Sequence, residues 1–224
     1  SHADLIGFSP YLEWREMSPI ADGPDAIRKA VRSRVKYGAD VIKMIASAGV
    51  LSEEESAGAP QYSQEEMDTV VAEARMWGRD VAAHAHGSEA VRRAVLAGVR
   101  SIEHGSMLDD SLIALMKERG TWLVADIYND DYILAEFRKR GYPEALIAKE
   151  RSVGRVQRES FRKAARAGVR IAFGTDAGIF PHGDNEIAIA GGLKDQPLAR
   201  LWMHSEVVMA EGRKVSRAAG NDLT

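Results

Sequence analysis

Five times along the middle of the chain, a helical stretch ends at a glycine and a short apolar run follows. In the first of these units, residues 25–37 carry apolar side chains four positions apart, Gly38 follows, and residues 40–45 form the apolar run. A spacing of four predicts an amphipathic helix, and glycine suits the position just after a helix because it adopts a left-handed backbone readily. Short apolar strands that alternate with helices predict an α/β fold with a parallel sheet.

The four later units keep the same order. Their helices are predicted at residues 64–77, 88–97, 110–119 and 155–167, each followed by a glycine (Gly78, Gly98, Gly120 and Gly168), and their apolar runs at 81–84, 99–104, 121–126 and 169–176. The second helix opens with Ser63 and Glu66 in the spacing of a capping box. Residues 46–62 are expected to form a loop above the sheet edge.

A polar side chain comes late in each run or just after it: Lys43, His84, His104, Asp126 and Asp176. Because parallel strands end at a common edge, we expect these side chains to gather at the carboxyl edge of one sheet. That edge carries the active site both in doubly wound sheets and in (β/α)₈ barrels.

Composition excludes several classes of protein and of site. The 30 basic and 33 acidic residues leave a net charge of −3, which argues against a general nucleic-acid binder. No stretch reaches the roughly 20 apolar residues of a membrane span, and no basic-then-apolar leader is seen, so neither a membrane partner nor a signal peptide is expected. The chain has no cysteine, which excludes thiolate metal sites and fits the cytoplasmic location that we predict.

Several of the polar residues have an ordinary structural interpretation beside a chemical one. The ammonium of Lys43 can pair with a carboxylate or reach solvent; it can also act as a neutral nucleophile or be carboxylated to bridge two metals. His84 and His86 end one run and would face the same side of a strand, as metal ligands or as a structural pair. His104 alone is more often structural, and Asp176 could cap a helix.

Taken together, the pattern is more specific than its members. Histidines, an aspartate and a lysine at equivalent ends of successive units form a metal-ligand set without thiolates. A metal held by such a set lowers the pKa of bound water and polarises a carbonyl, while an adjacent aspartate can pass a proton to a leaving nitrogen. The residues therefore predict a metal-assisted hydrolase. A doubly wound nucleotide-binding protein is a weaker alternative, because no glycine-rich phosphate loop is present.

Four motifs in order resemble the amidohydrolase superfamily, in particular its imidazolonepropionase-like branch, which includes prolidase-like Xaa-amino-acid dipeptidases. They are Val41-Ile42-Lys43-Met44, Ala83-His84-Ala85-His86-Gly87, Ser101-Ile102-Glu103-His104-Gly105 and Phe173-Gly174-Thr175-Asp176-Ala177-Gly178. The resemblance implies a (β/α)₈ TIM barrel, incomplete here with strands 4–8 recognisable. It places a partial barrel domain at residues 1–185 and a C-terminal β-sandwich segment at 186–224.

The resemblance also implies roles for single residues. Lys43 matches the carboxylated lysine that bridges two divalent metal ions, commonly zinc, and His84 and His104 match metal ligands. Asp176 matches an aspartate that is both a ligand and the catalytic acid and base.

Three further residues are expected to bind substrate. His86 and Tyr128 are expected near the scissile carbonyl or the substrate carboxylate. His182 is expected in the loop after the last strand, lining the pocket.

The implied reaction is hydrolysis of a C–N bond by a metal-bridging hydroxide, with a dipeptide or an N-acyl amino acid as the small-molecule substrate. A cyclic amide, as in imidazolonepropionase, is the alternative substrate. The family's first strand carries a His-x-His pair that this chain lacks before Lys43. A truncated, catalytically inactive remnant is therefore a further alternative, and open strand edges predict a homo-oligomer.

Overall fold

The computed structural model of the chain describes residues 20–52, 56–127, 129–176, 178–179, 181, 209–210 and 213–214. Within these residues, five parallel strands form one sheet in the order of the chain. The strands are β1 (Val41–Ile45), β2 (Asp80–Ala85), β3 (Ser101–His104), β4 (Trp122–Ala125) and β5 (Arg170–Phe173). The α/β fold with a parallel sheet is thus confirmed.

Helices connect the strands at almost the predicted positions. They are α1 (Pro24–Lys36), α2 (Gln64–Met76), α3 (Ser88–Ala97), α4 (Asp110–Arg119), α5 (Asn129–Tyr132), which continues as a π-helical turn (Ile133–Phe137), and α6 (Glu144–Ala167). The longest, α6, begins well before the predicted residue 155. None of the helices in the described part of the chain combines the length and the apolarity that crossing a bilayer requires.

Local signals in the sequence fix several helix ends. The Ser63 hydroxyl accepts the backbone N–H of Glu66, and the Glu66 carboxylate accepts that of Ser63, so the predicted capping box is confirmed. The same carboxylate accepts the backbone N–H of Gly23, which ties the start of α1 to α2. Gly98, Gly120 and Gly168 end their helices in the left-handed conformation.

The two faces of the sheet have different surroundings. Ile42, Met44, Ala83, Ile102 and Leu123 point to one face and lie in a continuous hydrophobic core with residues of the helices. Strand register places Lys43 beside Ala82 and Ile45 beside His84, so these side chains share the opposite face. Lys43 and His84 of the predicted site therefore lie on the face away from the helical core.

The loop after β1 is fastened over the carboxyl edge of the sheet. Ser47 pairs with Pro60 across the loop, and Ala46 and Ala48 are fully buried. The Ala46 N–H donates to the carbonyl of His84, which joins the loop to the end of β2.

The C-terminal predictions are tested only in part. Beyond residue 181, the structure describes two short antiparallel strands, β6 (Met209–Ala210) and β7 (Arg213–Lys214). A β-sandwich is not shown by these four residues. The proposed boundary between residues 185 and 186 lies outside the described residues and stays a prediction.

Candidate metal centre

Three histidine rings converge at the carboxyl edge of the sheet. The ring centroids of His84 and His104 are 4.5 Å apart, those of His84 and His86 are 4.8 Å apart, and His86 stacks on His104 at 4.6 Å. One ring nitrogen from each residue lies within 4.8 Å of the other two. The expectation that strand-end histidines gather at one edge is confirmed.

The backbone brings His104 to this cluster by departing from strand alternation. His104 pairs in register with Ala85, which is buried in the core on the helical face. A regular strand would turn both side chains to that face. Instead, His104 has a φ of 69°, and its ring lies beside that of His84.

Positive φ recurs at the other end of the site. Asp176, which follows β5, has a φ of 49°, and His104 and Asp176 are the two non-glycine residues with positive φ in the part of the chain that the structure describes. Such conformations cost about 1–3 kcal/mol and cluster at functional sites. The left-handed conformations of His104 and Asp176 therefore indicate that the surrounding structure holds these two residues in place for a functional site.

A buried carboxylate orients His104. Nδ1 of His104 lies 2.7 Å from Oδ1 of Asp126. Gln157 donates its side-chain amide to the same oxygen at 2.8 Å, and Asn129 donates to the other oxygen at 2.7 Å. With three donors around it, Asp126 is held as the carboxylate.

The charges of this pair support each other. Burial opposes the charged form of both side chains, but the attraction and the hydrogen bond between them outweigh it. The pKa of Asp126 is consequently held well below its usual range, and the pKa of His104 is raised.

His86 is fixed by two serines. Its Nδ1 lies 2.7 Å from the Ser106 hydroxyl, and its backbone N–H donates to the Ser47 hydroxyl at 2.9 Å. Burial, with the nearby charge of His104 as a second cause, lowers the pKa of His86 to about 3. The ring is therefore neutral at ordinary pH.

His84 has a buried ring nitrogen without a partner. Its Nε2 makes no hydrogen bond to any described residue, and burial is the main reason why the pKa of His84 is well below its usual value. The backbone of Gly49 lies close by: a β-carbon placed there would be 3.2 Å from Nε2 of His84. A neutral imidazole with an unsatisfied, buried nitrogen among other imidazoles fits a divalent metal ion.

A second group of possible ligands adjoins the first. One ligand atom each from His104, Asp126 and Asp176 lies within 4.8 Å of the others, and Asp176 is exposed. His104 belongs to both groups, so the described residues offer imidazole and carboxylate ligands side by side.

The remaining predicted site residues are placed less directly. Lys43 is exposed on β1, on the same face as His84, and its charge contributes to lowering the pKa of His84. Tyr128 and His182 lie outside the described residues. Their substrate-binding roles, the carboxylation of Lys43 and the ligand roles of the other residues stay predictions.

Sequence reasoning missed the residues that surround the cluster. Asp126 was recognised at the sheet edge, but its pairing with His104 was not. Gln157 is 31 positions from its partner Asp126 and lies in the middle of α6, where the sequence shows no motif. The signal in the sequence that could have identified Gln157 is its position: it is a polar residue on the buried side of an amphipathic helix.

Comparison with known proteins agrees with this geometry. The model of the amidohydrolase family matches residues 4–214. Ochratoxinase of Aspergillus niger is 38% identical over 157 residues, which are 70% of this chain and 32% of that protein. Its crystal structure matches with a TM-score of 0.64 and covers 70% of this chain.

Two further crystal structures are similar. A Xaa-Pro dipeptidase with bound methionine in the active site is 45% identical, with a TM-score of 0.71 over 76% of this chain and 42% of the other. A prolidase complexed with N-methylphosphonate-L-proline is 38% identical, with a TM-score of 0.67 over 70% of this chain and 38% of the other. The chain thus spans less than half the length of these relatives.

A shorter match has a different character. Over 46 residues, the chain is 50% identical to a cysteine–tRNA ligase of Chlamydia pneumoniae, which covers 20% of this chain and 10% of that protein. A match of this length shows that the two proteins share a short similar segment, and nothing about the activity of this chain follows from it.

Proposed function

The chain belongs to the amidohydrolase family, and we propose that it provides the metal-binding edge of a hydrolase that cleaves the C–N bond of a dipeptide or an N-acyl amino acid. The observation that carries the proposal is the cluster of three imidazoles in which Nε2 of His84 is buried without a partner. The bound methionine and the proline analogue in the two related structures support a small amino-acid substrate.

We assign the metal ligands to Lys43, His84, His104 and Asp176, with two divalent ions, preferably zinc, as the cofactor. Carboxylation would turn the exposed Lys43 ammonium into an anion on the face that also carries His84. When bound, such ions would lower the pKa of a water molecule and polarise the substrate carbonyl.

The proton transfers are assigned to Asp176. Its exposed carboxylate lies beside His104 at the open side of the cluster, where a substrate can reach it. It takes a proton from the attacking water as the new C–O bond forms, and it gives the proton to the nitrogen as the C–N bond breaks. The products are a carboxylic acid and an amine, and Asp176 returns to its starting state.

We assign substrate binding to His86, Tyr128 and His182. Support comes mainly from His86, whose neutral ring is held by Ser106 next to the proposed ligands. Among the described strands, β1 and β5 lie at the two ends of the sheet, which supports the proposal that the chain self-associates. We also propose a cytoplasmic location, which the lack of cysteine supports.

The test combines metal analysis with hydrolysis. The purified chain is loaded with zinc, dialysed, analysed for metal content and then incubated with a dipeptide library and with N-acyl amino acids. We expect about two zinc ions per chain and release of free amino acids. Asp176→Asn should abolish hydrolysis and largely retain zinc, whereas Asp40→Asn, a matched change at the exposed opposite edge of the sheet, should behave like the unchanged chain.

Two outcomes contradict the proposal. Hydrolysis that survives Asp176→Asn removes the catalytic role of Asp176. A zinc-loaded chain that cleaves neither linear nor cyclic amides contradicts the proposed hydrolysis itself.

A further inference from the structure

The buried side of α6 carries a stripe of polar side chains beneath the metal centre. Glu150, Gln157 and Ser160 are each at most 6% exposed, although a helix normally buries apolar side chains. Buried polar groups are costly unless they are hydrogen-bonded, so their partners indicate what the stripe does.

Gln157 is hydrogen-bonded to the partner of one histidine. Its side-chain amide donates to Oδ1 of Asp126 at 2.8 Å, and the same oxygen lies 2.7 Å from Nδ1 of His104. Gln157 thus holds the oxygen that orients the imidazole. It does so from α6, which is distant in sequence from both strand ends.

Ser160 is hydrogen-bonded to the segment that holds the other histidine. Its hydroxyl donates to the carbonyl of Ser106 at 2.8 Å and accepts the N–H of Leu108 at 3.0 Å. The Ser106 hydroxyl lies 2.7 Å from Nδ1 of His86. Residues three apart share a helix face, so one turn of α6 supports both rings.

We propose that Gln157 and Ser160 are positioning residues, which act through Asp126 and Ser106 to set the ring orientation and tautomer of His104 and His86. This inference rests on the proposed function in one respect, namely that the bound group is a divalent metal ion. With Nδ1 engaged in each ring, Nε2 is the nitrogen that remains for a metal or a substrate.

The test removes each hydrogen bond and reads out the rings themselves. Gln157→Met keeps the length of the side chain but removes the amide donor, and Ser160→Ala removes the hydroxyl. In the metal-free chain, ¹⁵N NMR distinguishes the protonated from the unprotonated ring nitrogen at a pH where the rings are neutral. We expect Gln157→Met to mix the tautomers of His104 and Ser160→Ala to mix those of His86.

Zinc affinity, measured by competition with a chelator, gives a second readout. Partners behind a metal-binding histidine typically contribute tenfold to a hundredfold in affinity. We therefore expect Gln157→Met to weaken zinc binding by about tenfold or more. A role in stability alone would lower the unfolding temperature and leave the tautomer of His104 unchanged.

Gln64→Met is the matched control. Gln64 also donates its side-chain amide to an aspartate, Asp68, at 2.8 Å, but it lies half-buried at the start of α2. This variant should change neither the tautomers nor zinc affinity. If Gln157→Met does not fold, Gln157→Asn, whose amide is too short to reach Asp126, replaces it.

The outcomes separate this inference from the proposed function. Unchanged tautomers and unchanged zinc affinity in both α6 variants overturn the inference, whatever the chain hydrolyses. Mixed tautomers in a chain that hydrolyses nothing support the inference and contradict the proposed function, because neither readout requires a substrate.

Discussion

Nδ1 of His104 lies 2.7 Å from Oδ1 of Asp126, at the ends of two neighbouring strands. The contact joins two buried groups, and each stabilises the charged or polarised form of the other. Because Asp126 is held as a carboxylate, the neutral His104 ring carries its proton on Nδ1. Nε2 of the neutral ring then has a free lone pair, which can bind a metal ion.

Replacing Asp126 with asparagine should weaken metal binding and make His104 less basic. The amide has nearly the shape of the carboxylate but lacks the charge that raises the pKa of His104. We expect this pKa to fall below that of the unchanged chain and zinc affinity to fall by about tenfold to a hundredfold. NMR titration of the metal-free chain measures the first change, and chelator competition measures the second.

Asp40→Asn is the control, because Asp40 is exposed at the opposite edge of the sheet. An Asp126→Asn chain that keeps both the basicity of His104 and the zinc affinity would show that the contact is incidental. The effect should be larger than that of Gln157→Met, since Gln157 acts only through Asp126.

Much of the fold could be predicted because its signals are local. The helix between Ser63 and Gly78 has a capping box at its start and a glycine after its end, and α3 and α4 match their predicted bounds. Helix periodicity and short apolar runs then imply parallel strands. The placement of His84 and His104 at one edge of the sheet follows from topology, since the ends of adjacent parallel strands lie side by side.

The inner geometry of the site could not be predicted, because it depends on tertiary contacts. Strand alternation would turn His104 to the wrong face, and only the left-handed backbone at this residue brings it into the cluster. The pairing with Asp126 requires the register of β3 and β4, and the support from Gln157 requires α6 to be docked. None of these relationships leaves a pattern along the chain.

The small size of Gly174, two residues before Asp176, should be required for packing against the neighbouring strand. A β-carbon at this position would collide with Cγ1 of Val124 on the neighbouring strand. Gly174→Ala should therefore lower the free energy of unfolding by about 1–3 kcal/mol, as overpacking does. Urea denaturation measures this loss.

The second half of this test is a rescue. Val124→Ala removes the colliding methyl groups, so the double variant should be more stable than the sum of the two single changes indicates. Additive effects would mean that Gly174 is required for another reason.

Lys43 should carry the carbon dioxide adduct if it bridges two metal ions. The zinc-loaded chain should then show, in native mass spectra, the added mass of one carbon dioxide. Lys43→Ala should lose that mass and bind less zinc, and Lys29→Ala, a change on the surface of α1, should lose neither. Full zinc binding by Lys43→Ala would exclude the lysine as a ligand.

The buried histidines should make the metal-free chain less stable in acid. The pKa of His86 is about 3 in the folded chain and about 6.5 in an unfolded one. Between these two values, the unfolded state binds a proton that the folded state does not. The free energy of unfolding should therefore fall as the pH is lowered, by up to about 1.4 kcal/mol per pH unit from this one group.

Other ionisable side chains near His86 also change how the free energy of unfolding depends on pH. His84 has a lowered pKa and adds to the loss of stability in acid. His104 acts oppositely: its pKa is raised, so its contribution is fully present below about pH 6.5 and is lost as the pH rises through the folded value. Glu150 also acts oppositely, because burial raises its pKa to about 7. Urea denaturation between about pH 6 and pH 4 therefore measures the balance between this carboxyl and the two histidines.

His86→Gln tests how much of the pH dependence of the free energy of unfolding comes from His86. The glutamine cannot take up a proton, so the variant should lose less stability per pH unit than the unchanged chain, even if it is less stable at neutral pH. Gln64→Met removes no titratable group and should leave the slope unchanged. Equal slopes for His86→Gln and the unchanged chain would mean that His86 is protonated in the folded state, and its neutral ring could not then serve the site.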